Sequence, residues 1–231
     1  MSMGLERETA MRSAQKFRLM QKGNIVGLFS LAAVLVNAIL NRWLLLHDSV
    51  VFSRSDIGMM MLFMVISVAA GLIGKIIYLA GLYGMVGIRP EYQKAFLCEL
   101  VLIILGLVYN ALGQKGILAE TVNALQKLGV LLILWLVLQG TRCLLEGMEQ
   151  EAVLRRGQRV WKLYVLAELI DVLLIVIHVP VTLSTEIISL LVFAVAMVIL
   201  GIVAAVDYTG YLGQAARAFE QMVFPVNNEQ A

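Results

Sequence analysis

The chain has 231 residues, of which 61% are hydrophobic and 15% are charged, and its net charge at pH 7 is +2. Because soluble domains are nearer to half apolar, this composition predicts a membrane protein with several spans. The small net charge, with no basic tract interleaved with aromatic residues, argues against a nucleic-acid partner. Cys98 and Cys143 lie in apolar stretches and belong to no CxxC or Cys/His motif. We therefore expect no zinc site, no disulfide framework and no other cofactor.

The first 23 residues are polar and basic, and they lead directly into a long apolar run. A cleavable signal peptide would have a shorter apolar core with a small-residue cleavage site behind it, so we predict an uncleaved first span. Residues 1–23 are then a basic cytoplasmic segment, whose composition is compatible with a helix on the membrane surface.

Six apolar segments follow, each long enough to cross the ~30 Å hydrocarbon core, which takes about 20 helical residues. The predicted fold class is therefore all-α, a bundle of six transmembrane helices over residues 24–212, with a cytoplasmic tail at 213–231. The segments lie at about 24–46, 57–82, 92–112, 124–146, 160–180 and 185–209.

Similar phrases precede the odd-numbered helices, namely Gln15-Lys16-Phe17, Gln93-Lys94-Ala95-Phe96 and Gln158-Arg159-Val160-Trp161. They favour three helical hairpins related by an internal repeat. The alternative is that any cytoplasmic membrane interface selects for basic and aromatic residues.

Lysine and arginine are distributed unequally between the two ends of the predicted bundle, by about three to one. The end with both termini, the 83–91 loop and the 142–162 region is the richer one, which predicts that both termini are cytoplasmic in a plasma or inner membrane. The poorer end is assigned only Arg42, Arg54, Lys115 and Lys127.

The fifth segment contains two carboxylates, Glu168 and Asp171, inside a run that otherwise reads as a membrane span. Residues three apart share one side of a helix, and intramembrane carboxylates are costly enough that they often mark a function. Tyr164, Glu168, Asp171 and His178 fall within a stripe of about 80°. Carboxylates and a histidine in line are typical of a proton relay or a cation path.

The third and second segments offer Glu99 and Lys75 at comparable depth. If Glu99, Glu168 and Asp171 were all ionised, Lys75 alone would leave about two negative charges uncompensated. The low dielectric of the membrane disfavours such charges unless protons, a cation or Arg142 neutralise them. Proton-linked behaviour or a cationic ligand is one reading. In the other, Glu99 and Glu168 pair with Lys75 or Arg142 as structural contacts between helices, or Lys75 snorkels to the headgroups.

Enzyme signatures such as HExxH, GxSxG and the P-loop are missing from the sequence. We therefore expect a protein that is not an enzyme, with Glu168 and Asp171 as an intramembrane acid–base pair remaining as the alternative.

Two functional hypotheses follow. The first is a transporter or channel-like protein for protons, cations or a small cationic solute, with Asp171 and Glu168 as binding groups and Glu99 and Lys75 as their partners. The second is a non-catalytic membrane scaffold or regulatory subunit. Its basic 1–23 and 149–162 segments would contact the lipid bilayer, another membrane protein or a second copy of the chain.

Overall fold

Helices cover the described parts of all six predicted apolar segments. The computed structural model describes residues 3–46, 54–111, 116–146, 150–177 and 184–223, with side chains for 7–38, 58–111, 116–146, 150–170 and 195–223. Within these ranges there are six α-helices and no strand, which confirms the predicted all-α bundle. The helices are α1 (Met3–Leu46), α2 (Arg54–Tyr83), α3 (Pro90–Ala111), α4 (Ile117–Leu145), α5 (Glu151–Ile177) and α6 (Ser184–Val223).

The helices form a closed ring in which each packs against the next in sequence and α6 returns to α1. The α1–α2 interface is the most extensive and the α2–α3 interface is the least extensive of those in the ring. Arg18 in α1 forms an ion pair of 2.7 Å with Glu220 in α6, so the two terminal segments run antiparallel and meet at one end. We call this the basic end; it also holds the 84–89 turn, the last turn of α4 and the first turn of α5.

Two helices are much longer than a membrane span. α1 has 44 residues and α6 has 40, which at 1.5 Å per residue is about 60 Å, twice the hydrocarbon thickness. The predicted boundaries at 23/24 and 212/213 therefore fall inside continuous helices. The reason is amphipathic packing: Ala10, Ala14, Phe17 and Met20 are buried along one face of α1 at spacings of three and four residues, the period of a helix.

The most tightly packed part of the core lies at the basic end. The Phe17 ring stacks on Phe219 with centroids 5.5 Å apart, and meets the Tyr92 ring edge-on at 6.2 Å. Leu82 and Leu145 are fully buried at the same end. Burial of large apolar side chains stabilises by about 1.5–3 kcal/mol each where water is the alternative, so this end holds the helices in register.

The outward faces of the helices are apolar instead of polar. Among the described residues, five helices contain a stretch long and apolar enough to cross a membrane: α1, α2, α3, α4 and α6. Exposed apolar side chains cover the middle of these helices, a surface that a soluble protein would not present. On α2 they are Met61, Leu62, Met64, Val65, Leu72, Ile73 and Ile76. The protein is therefore membrane-embedded.

Glycines bring α1 and α2 into direct backbone contact. A Cβ on Gly23 would lie 2.6 Å from the Gly74 carbonyl oxygen, and one on Gly74 would lie 2.7 Å from the Gly23 carbonyl oxygen. Gly23 and Gly27 form a GxxxG pattern, which permits this approach in membranes. Further along, the Ser30 hydroxyl donates to the Ser67 carbonyl oxygen at 2.7 Å, and the Ser67 hydroxyl donates to the Ser30 carbonyl oxygen at 3.2 Å. This helix pair is thus held by close contact along much of its length.

Candidate functional site

A cavity of about 220 Å³ lies inside the ring, and all six helices contribute to its wall. Glycines of α1 and α2 leave the space, and Val130, Ile133 and Leu134 of α4 form an apolar side. The remaining wall is polar although it lies between membrane-spanning segments. Its polar side chains are Asn24, Lys75, Tyr78, Glu99, Tyr164 and Tyr208.

The charged part of the wall is an ion pair between Lys75 of α2 and Glu99 of α3. Lys75 lies eight residues before the end of α2 at Tyr83, and Glu99 lies nine residues after the start of α3 at Pro90. Both are therefore about 12–14 Å along their helices from the basic end, which puts them at the same depth. The pair bridges α2 and α3, the most sparsely packed interface of the ring.

Burial differs sharply between the two partners. The Glu99 side chain is 5% exposed, whereas the Lys75 side chain is 46% exposed. A carboxylate so buried depends on its partner, because an unpaired buried charge is strongly destabilising. The lysine is not held to the same degree, since its flexible four-carbon stem can carry the ammonium group away.

Hydroxyl and amide groups form another part of the cavity wall. The Tyr78 and Tyr208 hydroxyls are hydrogen-bonded at 2.8 Å, and the Tyr164 ring lies edge-on to Tyr208 with centroids 6.1 Å apart. The Asn24 amide donates to the Thr209 hydroxyl at 2.7 Å and to the Ala205 carbonyl oxygen at 3.3 Å. The cavity thus offers neutral hydrogen-bonding groups beside one acid–base pair.

Glu168 does not line this cavity; it lies in a second ion pair, 3.3 Å from Lys127 of α4. Lys127 was assigned to the poorer end in the sequence analysis. It lies ten residues into α4, about 15 Å along the helix from Ile117. Sequence reasoning named Arg142 as the alternative partner of Glu168, but the described partner is Lys127.

The second ion pair changes the predicted charge balance. Glu99 pairs with Lys75 and Glu168 pairs with Lys127, so the summed charge of these four side chains is zero. Asp171 belongs to α5, but its side chain lies outside the described residues, and so does all of His178. The predicted stripe from Tyr164 to His178 is therefore described only as far as Ile170.

A third ionic cluster was missed by sequence reasoning. The Asp207 side chain is 4% exposed and accepts two hydrogen bonds of 2.8 Å from Arg159 and one of 3.1 Å from Arg156. A Cβ on Gly210 would lie 1.9 Å from the Arg156 guanidinium, so the glycine makes room for that side chain. The signal was present, because Asp207 is the one acid in a long apolar stretch and faces a helix with two arginines three residues apart.

The three ionic groups differ in whether a proton, a cation or a solute could reach their carboxylates. Asp207 is saturated by two guanidinium groups, and Glu168 with Lys127 lies outside the cavity. Lys75 and Glu99 alone join a buried carboxylate to an open polar space, where a proton, a cation or a solute could reach them. Among the described side chains, no group of three His, Cys, Asp or Glu is placed to hold a metal ion.

No protein-family model, no curated protein and no solved structure matches the chain.

Proposed function

We propose that the protein is a small membrane transporter or channel-like protein that handles protons, cations or a small cationic solute at the central cavity. One observation carries the proposal: the Lys75–Glu99 pair lines the cavity, and the Lys75 side chain is 46% exposed although its partner is buried. A pair that served only to join helices would gain most from exclusion of water and solute, because Coulombic attraction is stronger at low dielectric.

Partner exchange at Glu99 gives this site a chemical mechanism. Lys75 neutralises the carboxylate when the cavity is empty. An entering cation, or a proton bound by Glu99, takes over that role and releases the half-exposed lysine toward the headgroups. The bundle stays close to neutral in both states, which avoids the cost of an uncompensated charge in the membrane.

The cavity size limits the solute. At ~30 Å³ of liquid volume per water, about 220 Å³ corresponds to roughly seven water molecules. This suits a proton-carrying water chain, a partly hydrated metal cation or a small amine. The tyrosine hydroxyls and the Asn24 amide would replace part of the hydration shell of such a solute.

For orientation, we propose that the basic end faces the cytoplasm of a plasma or inner membrane. The support is the excess of lysine and arginine at that end, since such residues are retained on the cytoplasmic side. Release of Lys75 toward the basic end would then be a movement toward anionic headgroups.

The test is flux into vesicles reconstituted with purified protein, using protons, alkali cations and small organic amines as probes. Glu99→Gln should lower the flux of the transported probe at least tenfold, since the amide cannot exchange a proton or hold a cation as an ion pair. Glu220→Gln is the matched control, because Glu220 also pairs with a basic residue but lies outside the cavity. Wild-type vesicles that carry none of these probes would refute the proposal.

A second candidate is a membrane scaffold or regulatory subunit. It is favoured by the continuation of α1 and α6 well past a single span and by their dense packing at the basic end. This candidate predicts normal function for Glu99→Gln and loss of function for variants on the exposed surface of that end, such as Arg12→Glu.

A further inference from the structure

A second cavity lies away from the ion pairs, between α4 and α5 at the basic end. Its volume is about 270 Å³. No charged group of the central site lines it, so its role is independent of the proposed transport function. The side chains that define it are Trp135, Leu138, Gln139, Arg142, Gln158 and Trp161.

The part of the cavity nearer the basic end contains Arg142, the one cationic group among the described lining residues, with Leu154 at a similar depth on α5. Gln139 and Arg142 are three residues apart on α4, and so share one side of that helix. Gln158 faces them from α5. Arg142 is exposed and makes no ion pair or hydrogen bond with the side chains that the structure describes. The guanidinium and two amides therefore form a group of donors that suits an anion with several oxygen atoms.

The deeper part of the cavity is apolar and aromatic. Trp135 lies seven residues before Arg142 on α4, which is about 10 Å further from the basic end. Leu138 and the buried Tyr211 ring close the back of the cavity. Gly157 keeps α5 close to this wall, because a Cβ there would lie 3.1 Å from the Tyr211 ring.

We propose that this cavity binds an anionic phospholipid of the surrounding bilayer, with its phosphate on Arg142 and the start of its acyl chains between the two tryptophans. Two observations favour a lipid over a soluble phosphate compound. The cationic and apolar parts follow each other along the membrane normal, as the headgroup and chains of a lipid do. Trp161 also lies at the start of the predicted fifth span, and tryptophan is enriched at the membrane–water interface.

The experiment is lipid titration of the purified protein in detergent, followed by native mass spectrometry. Phosphatidylglycerol and phosphatidylcholine are the lipid probes, and inorganic phosphate is the soluble probe. We expect one retained phosphatidylglycerol per chain that phosphatidylcholine replaces poorly. Arg142→Gln should weaken phosphatidylglycerol binding about fivefold, the contribution of one basic residue near an anionic headgroup.

Two further variants separate a built site from general surface charge. Arg155→Gln is the matched control, because Arg155 lies on α5 at the same end but is 76% exposed and pairs with Glu151 one turn away. It should leave binding unchanged. Leu154→Trp, which fills the cavity without altering charge, should weaken phosphatidylglycerol binding as Arg142→Gln does.

Three results would overturn the proposal. The first is equal retention of the two lipids by the wild type. The second is an equal loss in Arg142→Gln and Arg155→Gln. The third is competition by inorganic phosphate together with no effect of Leu154→Trp, which would identify a soluble anion as the ligand. A variant that elutes as aggregate in size exclusion is replaced by Gln158→Leu, for which the same weakening of phosphatidylglycerol binding is expected.

Discussion

The unequal burial of Lys75 and Glu99 predicts unequal costs of removing either partner. In Lys75→Met, Glu99 keeps its charge at 5% exposure with no partner, and loss of one member of a buried pair costs about 3–5 kcal/mol. In Glu99→Met, the remaining lysine is already 46% exposed and can place its ammonium group among headgroups. Its cost should then be nearer that of an ordinary hydrogen bond to a charged group, about 1.5–3 kcal/mol.

The double variant Lys75→Met/Glu99→Met provides the decisive comparison. Apolar replacement of a whole buried pair is often neutral or stabilising, so the double variant should lie within about 1 kcal/mol of the wild type. The free energy of unfolding would be measured for all four proteins in mixed micelles by titration with a denaturing detergent. Equal costs for the two single variants, or a double variant whose cost is the sum of the singles, would show that the pair is not the coupled unit described.

Two further predictions concern the helix interfaces. Gly74→Ala should destabilise the protein by about 1–3 kcal/mol, because the new methyl group meets the backbone of α1. Gly58→Ala should stabilise it by about 0.4–1 kcal/mol, because a Cβ there meets nothing within 4 Å. Thermal unfolding of the two variants compares them directly. A destabilised Gly58→Ala together with an unaffected Gly74→Ala would contradict the described α1–α2 contact. At the α5–α6 interface, Arg159→Gln should lower the unfolding temperature more than Arg156→Gln, because Arg159 donates two hydrogen bonds of 2.8 Å to Asp207 and Arg156 donates one of 3.1 Å. The reverse order would contradict this geometry.

Sequence reasoning predicted the number of helices because each apolar segment is long enough to cross a membrane. Most of the predicted ends lie within three residues of the helix ends. The start of α1 and the end of α6 lie much further out than predicted, because hydropathy reports the extent of the bilayer and not that of the helix. The extension of α1 depends on the burial of residues such as Phe17 and Met20. The sequence shows the three-residue spacing of these side chains but not the residues of other helices that cover them.

The candidate site was predictable to the extent that depth along a helix can be counted. Counting placed Glu99 and Lys75 near each other, and the structure pairs them. The Lys127 partner of Glu168 was missed because its position was judged from its distance to a loop. Which residues of two helices face each other depends on the rotation of each helix about its axis, and one sequence does not specify that rotation.

Closure of the ring by α6 also sets an order for biosynthesis. The Asn24 amide finds its partner Thr209 only after 185 further residues have been made. At 5–20 residues per second, that is roughly 10–40 s of translation. During this time the α6-facing side of α1 is uncovered, and a nascent chain that lacks α6 presents an unsatisfied amide to lipid. Until α6 is inserted, this face of α1 is therefore open to non-native contacts, because Asn24 gains its partner only from the last helix.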